Sequence, residues 1–152
     1  MMGRTRIAAA TVMVAAGLIG AMAAPATAGK TRHLVGAFDE EPGSSVSMTV
    51  KLNNKNRPKF VKDIVFSGLN MLCDDDESNI PTPRTLGPLE LPGKLRVTFD
   101  GFGKLYKDLD EDLSHFEFSG TLLKKGKQAV GRVGTYAGTR CSVLAYYLAK
   151  KE

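Results

Sequence analysis

The chain has 152 residues and a formal charge of +5, with 43% hydrophobic residues and no tryptophan. That composition is ordinary for a globular protein and argues against a disordered chain. Removing the two arginines of the first 28 residues leaves 19 basic against 16 acidic residues, so +3, too small a surplus to imply nucleic acid.

Residues 1–28 read as a signal peptide. Arg4 and Arg6 form a positive head, an apolar run follows from Ile7 to Ala24, Pro25 breaks it, and Ala26-Thr27-Ala28 is a small-residue cleavage pattern. Residues 29–152 are then a single exported β domain, secreted or held in the cell envelope. No membrane span is expected after cleavage, and no second apolar run or lipid signal closes the chain. Cys73 and Cys141 both lie in the exported part, and an even count in an oxidising compartment implies one bridge between them. With no C-x-x-C and no zinc ligand set, neither a redox role nor a cofactor is implied.

Alternation sets the fold class. "HLVGAF" is a first strand, and "EEPGSS" turns into "VSMTVKL", where Val46, Met48, Val50 and Leu52 share one face. "NNKNRP" is a second turn, leading into the long run "KFVKDIVFSGLNMLC". Residues 74–93, punctuated by Pro81, Pro83, Pro88 and Pro92, read as one long loop, with at most a short edge strand. "LRVTF" places Leu95, Val97 and Phe99 on one face, and "DGFGK" (100–104) is a glycine-kinked turn. In "SHFEFSGTL", Phe116, Phe118, Gly120 and Leu122 oppose the polar set. "LLKKGKQ" is a hairpin turn in which Lys124, Lys125 and Lys127 stay in water and Gly126 supplies a positive φ. Gly131, Gly134 and Gly138 suggest bulges or bends. "CSVLAYYLAKK" fits a strand or a short helix; the strand is preferred because it ties the chain end into a sheet. The expected fold is all-β, an antiparallel sandwich or barrel of about seven or eight strands.

Chemistry-bearing patterns are sparse. The runs "CDDDES" and "DLDED" make Asp74, Asp76, Asp108, Asp110 and Asp112 weak calcium candidates, because calcium takes oxygen ligands. As an EF-hand, however, the second run has Leu113 where glycine is needed and Ser119 where a glutamate belongs, so solvated loop charge is the favoured reading. Ser114 and His115 are neighbours that would point to opposite faces of a strand, which suits no nucleophile–base pair; His115 shares an outer face with Glu117. Tyr106, Tyr136, Tyr146 and Tyr147 are expected mainly in core or half-exposed sheet positions rather than on a sugar-binding platform. No catalytic residues are assigned.

With Cys73 ending a strand, "FEFSGTL…AVGRVG" ahead of Cys141 and an aromatic last strand, residues 34–150 resemble a group of small exported proteins. These are the single-disulfide β proteins of unassigned function common in high-GC Gram-positive bacteria. Many of them end in a tryptophan strand, where this chain has Tyr146 and Tyr147. The resemblance implies an exported β fold and brings no catalytic residues. An immunoglobulin domain is a poorer comparison: the core tryptophan is missing and Thr139 stands where a corner tyrosine belongs. The function expected is a non-enzymatic module with a binding or structural role in the envelope or extracellular space, its ligand unknown. A secreted hydrolase using scattered carboxylates is the alternative, or a protease inhibitor presenting the 74–93 loop, which its prolines would stiffen.

Overall fold

The computed structural model describes residues 29–74, 80–109, 113–135 and 140–152. Among them there is no helix. Eleven strands form two antiparallel sheets: β1 (Thr31–Phe38), β2 (Ser45–Leu52), β3 (Pro58–Ser67), β4 (Asn70–Cys73), β5 (Thr82–Thr85), β6 (Leu89–Arg96), β7 (Gly101–Lys107), β8 (His115–Leu123), β9 (Gln128–Thr135), β10 (Cys141–Ser142) and β11 (Leu144–Lys151). The large sheet runs β6-β3-β2-β1-β11-β9-β8-β7 and the small one β10-β4-β5.

The eight-stranded sheet curls until its two edge strands meet. β6 and β7 are joined by a two-residue hairpin closed by reciprocal bonds between Thr98 and Gly101, at 2.8 and 2.9 Å. An aromatic stack crosses the interior. Phe66 on β3 lies parallel to Phe116 and Phe118 on β8, at 5.4 and 6.2 Å, and Phe118 stacks on Tyr147 at 5.2 Å. Strands five places apart in the sheet order can touch in this way only if the sheet closes on itself, so the architecture is a nearly closed barrel.

Two glycines make room for the stack. Tyr147, Gly131, Gly120 and Phe102 form one inward-facing row across β11, β9, β8 and β7. With no side chains at Gly131 and Gly120, the Tyr147 ring lies along the row, and its hydroxyl donates to the Ser119 carbonyl at 3.1 Å. These glycines serve close packing. Burial pushes the Tyr147 and Tyr106 phenols up from their ordinary range.

The alternating segments keep their faces: Val46, Met48, Val50 and Leu52 are buried, as are Phe116, Phe118 and Leu122. The final segment is a strand, with Ala145, Tyr147 and Ala149 buried at period two. The long run 59–73 divides into two strands, because Gly68, at φ 74°, turns the chain where a Cβ would stand 2.8 Å from the Gly43 carbonyl oxygen and the Ser44 Cα. Other expectations need correction. Residues 74–93 are not one loop: β5 extends the small sheet and β6 is an edge of the barrel. Both carry their prolines where edge strands tolerate them, Pro92 within a bulge of β6 where Pro92 and Gly93 face the single residue Asp63. "LRVTF" is not a continuous strand either. It ends at Arg96, and Phe99 and Asp100, at φ 50° and 64°, form the hairpin tip, so Phe99 is fully exposed instead of inward. The turn thus precedes Gly101, and Gly101 and Gly103 lie within β7.

Cys73 and Cys141 are bonded, buried and directly paired across β4 and β10. Their separation of 68 residues means the bridge contributes about 4 kcal/mol by restricting the unfolded chain.

Candidate functional site

Strand direction sorts the charges. Because neighbouring strands run antiparallel, the turns β2–β3, β6–β7 and β8–β9, the start of β1 and the end of β11 gather at one end of the barrel. That end, the mouth, carries Arg32, Lys51, Lys55, Arg57, Lys59, Lys94, Arg96, Lys124, Lys125 and Lys127, against Asp100 and Glu152. The opposite end carries Asp39, Glu40, Glu41 and Asp108, with Lys107 and Arg140 as cations, among its described residues.

The densest part of the mouth is a hollow of about 920 Å³ over Phe60, on the outer face of β2, β3 and β6. Its walls hold Lys51, Lys55, Arg57, Lys59, Lys62 and Lys94 and no carboxylate. Local structure fixes several of them. The Asn53 side-chain oxygen accepts the amides of Lys55 and Arg57 at 2.9 and 3.0 Å, and Asn56 takes φ 57°, so the turn is a compact Asx-type loop holding Lys55 and Arg57 outward. Cross-strand register aligns Lys51 with Phe60 and Lys62 with Lys94. The Lys94 and Lys59 ammoniums lie 4.7 and 5.2 Å from the Phe60 ring centroid. Lys62 also pairs with Asp63 at 2.7 Å; this hydrogen bond holds the Asp63 carboxyl below its usual range, although burial opposes the shift. Five lysines and one arginine present point charges with little fork geometry, which suits a flexible or extended anion better than a single carboxylate clamped in one orientation.

The β8–β9 turn is the expected hairpin turn, with Lys124, Lys125 and Lys127 exposed, but it folds over the mouth. Gly126, at φ 80°, is buried with its Cβ position 3.0 Å from the Pro58 ring, and the Arg32 guanidinium donates to the Lys125 carbonyl. Gly126 takes the expected positive φ, and Lys124 and Lys125 before it are left-handed too, at φ 49° and 58°, which costs them backbone strain.

A second surface lies on the outer face of β11. Leu144 and Tyr146 are 64% and 53% exposed, and Tyr146 and Leu148 border a groove of about 750 Å³ with Arg132 and Asp39. Glu117 pairs with Arg132 at 3.3 Å beside it. Tyr146 is the half-exposed tyrosine, Tyr106 and Tyr147 are core, and Tyr136 lies outside the described residues.

His33 has a partner that sequence spacing did not suggest. It pairs in register with Thr49, whose hydroxyl lies 3.2 Å from Nδ1, in a small hollow that Asp63 and Glu152 also border. Asp63 contacts the Thr49 hydroxyl, so the hydroxyl stands between carboxylate and imidazole, whereas a catalytic triad needs the imidazole in the middle. Of the calcium candidates, Asp74 is exposed beside the disulfide, with its amide bonded to the Arg140 carbonyl, and Asp108 takes φ 53° before the β7–β8 connection. Asp76, Asp110 and Asp112 lie outside the described residues, among which no group of three or more His, Cys, Asp or Glu could hold a metal. The His115 Nδ1 and the Tyr106 hydroxyl are buried without a hydrogen-bond partner among the described residues.

Comparison with family models, with curated proteins and with solved structures returned no match.

Proposed function

We propose that the chain is an exported, non-enzymatic β module that binds an anionic partner in the cell envelope or extracellular space through the basic mouth of its barrel. One observation carries the reading: six cationic side chains from three strands and one turn line the Phe60 hollow, Lys62 among them paired with Asp63, and the lining itself holds no carboxylate. Such concentration of one sign focuses the field and attracts anions, even on a chain of small net charge. Export is supported by the leader pattern of residues 1–28 and by the buried disulfide, which an oxidising compartment favours. The resemblance to small exported β proteins agrees with both.

The hydrolase alternative keeps one foothold, the hollow bordered by His33, Asp63 and Glu152. The inhibitor alternative loses the free loop it was to present, since Thr82–Thr85 and Leu89–Arg96 are strands. The test is binding to inorganic polyphosphate across a salt series. Binding should weaken steeply with salt, and K55S/R57S/K59S should lower the slope of log K against log salt by about three. No binding, or binding indifferent to the triple variant, overturns the assignment.

A further inference from the structure

From the mouth's shape and charge we infer that its partner is an anionic lipid surface, with Phe99 as the residue that enters it; this rests on the anion-binding reading above. The β6–β7 hairpin tip places both central residues, Phe99 and Asp100, at positive φ, positions that favour Asn-Gly. A phenylalanine there costs backbone strain and, being fully exposed, buries nothing in exchange. Folding gives this ring no reason to be where it is.

Its surroundings supply one. The hollow beside Phe99, of about 640 Å³, is bordered by Arg57, Lys124 and Lys125, with Asp100 its one carboxylate. Leu123, on the same rim, is 40% exposed. Three turns therefore meet at one end of a rigid barrel: the β2–β3 and β8–β9 turns carry cations, and the hairpin tip between them carries the protruding apolar ring. A soluble polyanion would engage the cations and gain nothing from a phenylalanine tip. A bilayer surface uses both, phosphates meeting the lysines while the ring reaches the acyl boundary. The Phe60 hollow continues the cationic face through Arg57, which borders both hollows. Base stacking, the usual aromatic role in a nucleic-acid groove, fits poorly because the Phe60 ring already holds two ammoniums.

The chain has no tryptophan, so F99W provides a unique fluorophore. Vesicles of phosphatidylcholine with phosphatidylglycerol should shift its emission to the blue, and vesicles of phosphatidylcholine alone should not. F99N should weaken vesicle binding about tenfold, while polyphosphate binding stays unchanged and the melting temperature rises. K124Q/K125Q should weaken vesicle binding about thirtyfold, from about 1 kcal/mol per lysine near an anionic surface. Binding to polyphosphate but not to anionic vesicles would overturn the lipid assignment and leave the anion-binding reading standing. Binding to neither would overturn both. Vesicle binding with no blue shift and no loss in F99N would remove Phe99 from the contact and overturn the inference.

Discussion

The glycine slot under Tyr147 yields a sharp perturbation of the barrel. A Cβ on Gly120 would stand 2.4 Å from the Tyr147 hydroxyl, 2.8 Å from Phe102 Cζ and 2.9 Å from the Val130 carbonyl oxygen. Two of those three contacts are the far ends of side chains, so part of the clash can be relieved. Overpacking a core of this kind costs about 1–3 kcal/mol, and three contacts under 3.0 Å put G120A near the upper end, about 3 kcal/mol. Y147F alone removes one hydrogen bond, worth about 1 kcal/mol. It also removes the atom nearest the new methyl group, so the double variant should be more stable than the sum of the single effects by about 1 kcal/mol or more. Urea unfolding followed by far-UV circular dichroism measures all three, and at this size each kcal/mol moves the melting temperature by about 4 °C. G131A is the control: its Cβ would meet backbone, the Ser119 carbonyl oxygen at 2.1 Å and Gly120 Cα at 2.7 Å, as well as the phenol, so Y147F should rescue it far less. Additivity of G120A and Y147F would show that the phenol does not occupy the slot.

The other expectations concern isolated groups. Y106F should leave stability unchanged or raise it by up to about 1 kcal/mol in the same assay, since the buried hydroxyl lacks a partner among the described residues; a larger loss would reveal one. Reducing the Cys73–Cys141 bridge should lower unfolding free energy by about 4 kcal/mol, and retained stability after complete reduction would contradict the loop-closure argument. Burial raises the Tyr147 phenol above its unfolded value, so its contribution is complete below about pH 10 and is lost as pH rises beyond it, when the unfolded chain ionises and the folded chain resists. Y147F should flatten the stability–pH curve there, and an unchanged slope would place the phenol in contact with water.

How much was legible in the chain depended on what kind of force shaped each element. Where one strand face is buried, as in Val46–Leu52, Phe116–Leu122 and Ala145–Ala149, period two writes the structure into the residues. The edge strands β5 and β6 were hidden because proline, tolerated at an edge, looks like a loop signal. Phe99 misled for a related reason: it continues an alternating pattern beyond the point where the backbone turns, and only φ reveals the break. The mouth was invisible by nature. Its cations come from turns some 70 residues apart in the chain, Lys55 to Lys125, and only the alternating strand direction brings them together. Net charge, averaging over both ends, conceals the segregation. The His33–Thr49 contact depends on register between β1 and β2, which neither strand specifies alone.

The claim that anions meet the barrel at its basic mouth is tested most directly by amide chemical-shift mapping during titration with inorganic polyphosphate. Perturbations should concentrate at Lys51, Lys55–Lys62, Lys94–Arg96 and Lys124–Lys127, and fade at Asp39–Glu41 and Asp108. Shifts spread evenly over both ends, or confined to the β11 face around Tyr146, would contradict it.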